Sequence, residues 1–210
     1  MYKRQAIFDA LLSGNADPGA AVDAITRAID ERRLLVWSAD EAEQAIIAGA
    51  TVAGELPVSD ARSTTFGVYL NDGVGAKLDY YMAAGSQAMW CGAGEASLRV
   101  ELQNNAPADV ASYPDYMLGT SGDLTESGAT RGITRTLTYI YLPAGAELIR
   151  VTGTLAPVGQ HGGRAVYEWT TDLAPGETAA IDVRVSATTG SALGLQQTPV
   201  ISAMDVQAVC

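Results

Sequence analysis

The sequence predicts an α+β fold: a helix–strand–helix segment over residues 1–60, a hairpin over 61–87 and a mainly antiparallel, immunoglobulin-like β-sandwich over 88–210. Three observations carry this expectation. Helix caps and 3.6-residue apolar spacing are confined to the stretch before Pro57. After it, apolar residues alternate with polar ones at period two. The alternating runs are separated by glycine- and proline-containing turns, with no helical pattern between them.

Taken in order, "MYKRQAIFDALLSGN" places Ile7, Phe8, Leu11 and Leu12 at helical spacing. It lacks the apolar region and small-residue cleavage site of a signal peptide, so any export signal is expected outside this chain. A chain that starts directly in a helix fits a piece of something longer. "DPGAAVDAITRAIDERR" opens with Asp17 as cap and Pro18 at the first helical position, where a missing N–H costs nothing. Val22, Ile25 and Ile29 line one side. "RLLVWS", Arg33 to Ser38, is a continuous apolar run of strand length and reads as a buried strand. "SADEAEQAIIAGA" starts a second helix, capped by Ser38 or Asp40, with Glu41 and Glu43 at its positive end and Gly49 at its close.

Beyond Pro57, "FGVYL" and "KLDYYM" read as strands around a turn. "ASLRVELQN" puts Leu98, Val100 and Leu102 on one face, and "RTLTYIYL" puts Leu137, Tyr139 and Tyr141 on one face. "AELIRVTG", "RAVYEWTT", "AAIDVRVSA" and "PVISAMDVQAV" follow, with turns at "LPAGAE", "GQHGG" and "LAPGET". Ile181, Val183 and Val185 alternate with Asp182 and Arg184, the signature of a half-buried antiparallel strand. Trp37, Trp90 and Trp169 sit in strand-like runs and read as core. Asn104 to Gly132 is too long for a simple turn, and connections of that length are usually functional or disordered.

The totals exclude several classes. At 210 residues with 48% hydrophobic and 18% charged, the chain has enough apolar material for a core, so general disorder is not expected. A net charge of -11 argues against nucleic acid and against charge-driven docking on anionic lipid. "AIIAGATVAGEL" is the nearest approach to a membrane span, and Gly49, Thr51, Gly54 and Glu55 interrupt it.

The motif "YLNDGVGAKLDYY", Tyr69 to Tyr81, contains one of only two lysines. Asn71-Asp72-Gly73 is a turn signal, because these residues tolerate positive φ. Strand alternation after it would put Lys77, Asp79 and Tyr81 on one face and Leu78, Tyr80 and Met82 on the other. Asn71, Lys77 and Asp79 then form either a polar site for an anionic or sugar ligand, or the structural side chains of a hairpin that joins "LLVWS" in a small sheet. In the long connection, Tyr113, Asp115 and Tyr116 flank Pro114. Tyrosine rings stack on the apolar faces of sugars and a carboxylate accepts their hydroxyl protons. The alternative is that these tyrosines cover one end of the core.

Cys91 and Cys210 are the only cysteines, which suggests a disulfide fastening a final strand to one that begins near Trp90. Such a bridge requires an oxidising compartment and agrees with export. The rival is a catalytic thiol at Cys91 with His161, the only histidine, as base. Cysteine transpeptidases and sortases place histidine before cysteine, and here the order is reversed. There is no G-x-S-x-G for a serine triad. The histidine and two distant cysteines make no zinc site. "NDGVGAKLD" lacks the ligand alternation of a calcium loop, and "GVGAK" has a strand pattern after it where a phosphate loop needs a helix. No catalytic residue, metal or cofactor is implied, although two carboxylates of a glycosidase remain compatible with the many acids present.

"RRLLVWSADEAEQ", "YLNDGVGAKLDYY", Cys91 before "VELQNNAP", "YPDYMLGT", "YIYLPAGAEL" and "DLAPGET" recur in that order in a family this chain resembles. It is a family of large actinobacterial cell-envelope proteins without an established activity, usually carrying an N-terminal membrane anchor, some lying near genes for surface-polysaccharide synthesis. The resemblance covers Arg32 to the end, and the anchor and upstream half of the family's domain are not in this chain. It implies an extracytoplasmic location, secreted or anchored through a segment absent from this chain. The expected function is a non-catalytic module that binds or organises envelope polysaccharide or assembly partners. A hydrolase or transferase acting on that polymer is the alternative.

Overall fold

The computed structural model describes residues 9, 13, 17–55, 63–92, 94–119, 130–187 and 192–210. The expected helix through Ile7, Phe8, Leu11 and Leu12 falls outside them, as does the middle of the long connection. The chain divides into two compact units, Met1–Leu56 and Pro57–Cys210. No helix among the described residues is long and apolar enough to cross a membrane.

In the first unit, α1 spans Pro18–Asp30 and α2 spans Glu41–Ile47. Asp17 accepts from the Gly19 amide at 2.9 Å, so a side chain satisfies an amide the helix cannot. Asp40, not Ser38, caps α2, accepting from Ala42 and Glu43 at 2.9 and 3.0 Å. Arg32 takes the left-handed conformation (φ 56°) just beyond α1, a place where glycine is usual. The expected strand at Arg33–Ser38 is absent. The segment pairs in no sheet; Val36 donates its amide to the Val52 carbonyl at 2.8 Å. Nor is it buried: Trp37 is 76% exposed, so it is not the core residue the sequence suggested. An apolar run without a pairing partner has no ladder to make it a strand, whatever its propensity.

Among the described residues the second unit holds ten strands: β1 Ser63–Asp72, β2 Met82–Gly92, β3 Glu95–Asn104, β4 Thr134–Tyr141, β5 Leu148–Val151, β6 Ala156–His161, β7 Arg164–Leu173, β8 Thr178–Ser186, β9 Ala192–Gln197 and β10 Ser202–Ala203. They form two five-stranded sheets, ordered β6-β7-β4-β1-β9 and β10-β2-β3-β8-β5. Pairing is antiparallel except at β1–β9 and β2–β10, which are parallel. The two sheets share one core in a sandwich-like arrangement. Leu98, Val100 and Leu102 of β3 pair alongside Ile181 and Val183 of β8 and meet Phe66, Val68, Ile140 and Trp169 of the other sheet. Trp90 packs at the edge of this core.

On β4, Leu137, Tyr139 and Tyr141 do share one face, the half-buried outer one, while the core face is Thr134, Thr136, Thr138 and Ile140. Threonine offers a methyl to the core, and the outer tyrosines keep their hydroxyls near polar partners such as Glu168. Other expectations for this unit are corrected. Leu78–Tyr81 is a 3-10 turn, so the alternation expected for Lys77, Asp79 and Tyr81 does not form. β1 and β2 are not a hairpin: they belong to different sheets, and residues 73–81 carry the chain across. The end of the chain is strand only at Ser202–Ala203, and β2 finishes, instead of starting, near Trp90.

Cys91 and Cys210 are disulfide-bonded, with Cα atoms 5.6 Å apart. The final residues run beside β2, where Met204 donates to the Ala84 carbonyl at 3.0 Å and Ala208 to the Gln87 side chain at 2.8 Å. Asn104, fully buried at the end of β3, joins the sheets: its amide donates to the Leu173 carbonyl and its oxygen accepts from Ala106, both at 2.9 Å. A buried amide with both ends paired fixes how the layers stack at that end.

Candidate functional site

Two of the connections that cross between the sheets frame a space at one end of the core. Residues 73–81 lead from β1 to β2, and residues 198–201 lead from β9 to β10. Because β9 lies parallel to β1, both crossings leave from the same end. The space between them is a cavity of about 420 Å³. Leu70, Met82, Val200 and Ile201 give it apolar walls; Asn71, Asp72, Lys77, Asp79 and Thr136 supply its polar groups, and Tyr80 borders it. Its wall is tied to β1, since Leu70 donates to the Thr198 hydroxyl and Thr198 to the Val68 carbonyl, each at 3.0 Å.

Local chemistry explains the first crossing. The Asp72 carboxylate accepts from the Val74 amide at 2.9 Å, closing a side-chain turn, and Gly75 supplies φ 70°. The buried Leu78 then anchors the segment in a second apolar cluster with Ala106, Val110 and Leu118, against which Tyr81 and Tyr113 pack. This cluster seats the long connection. Its short helix α3, Asp115–Leu118, lies against the crossing: Lys77 donates its amide to Met117 at 2.8 Å and its ammonium to the Tyr116 carbonyl at 3.0 Å. Gly119 (φ 71°) follows α3, and an added Cβ there would lie 2.5 Å from the Val74 carbonyl oxygen.

Of the residues the sequence singled out, Asn71, Lys77 and Asp79 come together in the cavity wall. Tyr116 is 58% exposed beside them, with the Lys77 ammonium 5.4 Å from its ring centre. Tyr113 instead covers the second cluster, and Asp115 pairs with Arg131. His161 ends β6 against the Tyr141 ring, 6.3 Å between centres, and Cys91 is bridged, so no thiol–histidine pair exists. Sequence reasoning missed Asp72, Tyr80, Thr136 and the 198–201 wall. Asp72 stood inside the turn signal; the wall was hidden within what looked like one continuous strand.

The electrostatics are uneven. Asp79 is held above the usual carboxylate range, first by loss of water against the cavity wall and second by the Asp72 carboxylate. Lys77 is turned to Tyr116. Folded Asp79 therefore keeps its proton at pH values where the unfolded chain has lost it. The folded state binds more protons there, so stability falls as pH rises through the raised value. Asp79→Asn is expected to raise the melting temperature near neutral pH by roughly 1–2 °C, a small gain because the site is open to solvent, and to change nothing in strong acid. Asp172 behaves oppositely. Arg135 pairs with it at 2.7 Å and lowers its pKa, so its contribution is present at neutral pH and lost as pH falls through the folded value. Melting curves of Asp79→Asn and Asp172→Asn across pH check both signs; identical profiles would contradict the assignment.

Among the described residues, no group of three or more His, Cys, Asp or Glu is placed to hold a metal ion. Compared with family models, with curated proteins and with solved structures, the chain matches none.

Proposed function

We propose that this chain is an extracytoplasmic, non-catalytic module that binds or organises cell-envelope polysaccharide or its assembly partners, with the glycan seated in the cavity between the two inter-sheet crossings. The observation that carries the reading is the composition of that cavity: apolar walls with a few convergent polar groups. Sugar rings have apolar faces and a rim of hydroxyls. Tyr80, 66% exposed at the cavity edge, offers a ring for stacking, and Asn71 and Asp79 offer hydroxyl partners. The disulfide supports an oxidising compartment, in keeping with the envelope family that the sequence motifs resemble. The immunoglobulin-like reading of the sandwich belongs to the same proposal: it rests on two mainly antiparallel layers about one core, and must accommodate the parallel pairings of β1 with β9 and β2 with β10.

Titration calorimetry with envelope polysaccharide fragments tests it. Tyr80→Ala and Tyr116→Ala are expected to weaken binding about tenfold each while leaving the melting temperature unchanged, because both rings are exposed. Absence of binding by the unaltered chain overturns the reading.

A second reading has one observation behind it. Asp79, raised, and Asp72 beside it resemble the acid and its partner in a glycoside hydrolase, which would make the module a hydrolase or transferase of the same polymer. Release of reducing ends that disappears in Asp79→Asn would establish it over the binding module.

A further inference from the structure

The cavity wall contains two features that simple glycan binding leaves unused. One is charge. Asp72 and Asp79 both line the cavity, while the Lys77 ammonium is engaged by the Tyr116 carbonyl and ring. Asp72 is partly occupied by the Val74 amide. Asp79 pairs with no donor or cation among the described residues. Two neighbouring carboxylates against apolar walls favour an added positive charge. The second is Thr136. It is only 4% exposed, it lines the cavity, and its hydroxyl has no hydrogen-bond partner. A buried hydroxyl left unpaired is costly and marks a place where a ligand group or a water belongs.

We infer that the ligand unit seated in this cavity is an amino sugar with a free, protonated amine: the ammonium meets Asp79 and Asp72, a ring hydroxyl meets the Thr136 hydroxyl, and the apolar ring face lies on Tyr80 and Ile201. The inference rests on the glycan-binding reading above and adds the substrate class. A neutral sugar leaves the carboxylate pair uncompensated. An N-acetylated sugar removes the charge and adds an acetyl group that has no donor from either carboxylate. An amine without a sugar ring leaves Thr136 and the apolar wall unused.

The test is calorimetry on the full chain with four probes: a glucosamine trisaccharide, its N-acetylated counterpart, the neutral glucose trisaccharide and a lysine-containing tripeptide. The glucosamine form is expected to bind at least about tenfold more tightly than each of the others, since a charged hydrogen-bonded contact discriminates by that much or more. Asp79→Asn is expected to remove most of the preference for the amino sugar over the neutral one, Asp72 keeping the remainder. Thr136→Val, which keeps shape but removes the hydroxyl, is expected to weaken both sugars by a similar factor and to leave the preference for the amine intact. Melting curves check that each variant is folded; should Thr136→Val fail to fold, Asp79→Asn alone decides. Equal binding of the three sugars by the unaltered chain overturns the amine inference and leaves glycan binding standing. No sugar binding at all overturns the glycan reading itself. A tripeptide as tight as the amino sugar, or an amine preference undiminished in Asp79→Asn, also overturns the inference.

Discussion

Replacing Cys91 and Cys210 together by alanine is expected to lower the melting temperature of the strand-rich unit by about 10–15 °C. The bridge spans a sequence separation of 119 residues. On the chain-entropy account, closing a loop of that size removes roughly 4–5 kcal/mol of freedom from the unfolded chain. For a domain of this size each kcal/mol is worth roughly 2–4 °C, which sets the expected range. The structure adds a local reason for a large effect. Only two residues of the C-terminal segment form strand, and few backbone bonds hold the rest beside β2. Val206 is nonetheless buried, and Gly85 approaches so closely that a Cβ there would lie 2.4 Å from the Met204 carbonyl oxygen. Without the bridge this segment peels from β2 and uncovers that surface. Reductant should reproduce the shift in the unaltered chain and have no effect on the double alanine variant. A change of less than about 2 °C would mean that the sheets alone hold the terminus.

What the sequence disclosed follows from where the driving force is local. β3 and β8 were legible because each buries one face, so apolar residues recur at every second position: Leu98, Val100 and Leu102 on one, Ile181, Val183 and Val185 on the other. The caps at Asp17 and Asp40 were legible because capping depends on neighbours two and three residues away. Arg33–Ser38 misled because a continuous apolar run carries no periodicity, and composition alone does not provide a pairing strand. "KLDYYM" misled because four residues of alternation also fit a single 3-10 turn. β9 gave little signal, since "ALGLQQ" has weak strand propensity and is held by its parallel register with β1. The site divides the same way. Asn71, Lys77 and Asp79 could be grouped because nine consecutive positions of turn-rich chain contain them. Thr136 and the 198–201 wall reach the cavity only through long-range pairing, which no short window of sequence records.

Arg164 should prove the most sensitive single side chain. It begins β7 and is 3% exposed. One guanidinium nitrogen donates to the Thr65 carbonyl at 2.6 Å and to the Leu142 carbonyl at 3.2 Å, so a single side chain ties β7 to β1 and to the residue just past β4. Loss of water lowers its pKa, but an arginine so shifted still carries its charge at any physiological pH. Two of its acceptors are backbone carbonyls, which no substitution removes, and Arg164→Met would take one donor from each. Each such group costs about 1–3 kcal/mol, so a total near 3 kcal/mol is expected, or roughly 6–12 °C in melting temperature. Arg164→Lys can reach only part of the same geometry and should fall between. Arg33→Met, at a pair about half exposed on both sides, should cost less than about 0.5 kcal/mol and serves as the comparison. If Arg164→Met melts within about 2 °C of the unaltered chain, the carbonyls have found water or other donors, and the guanidinium is a passenger in the sheet.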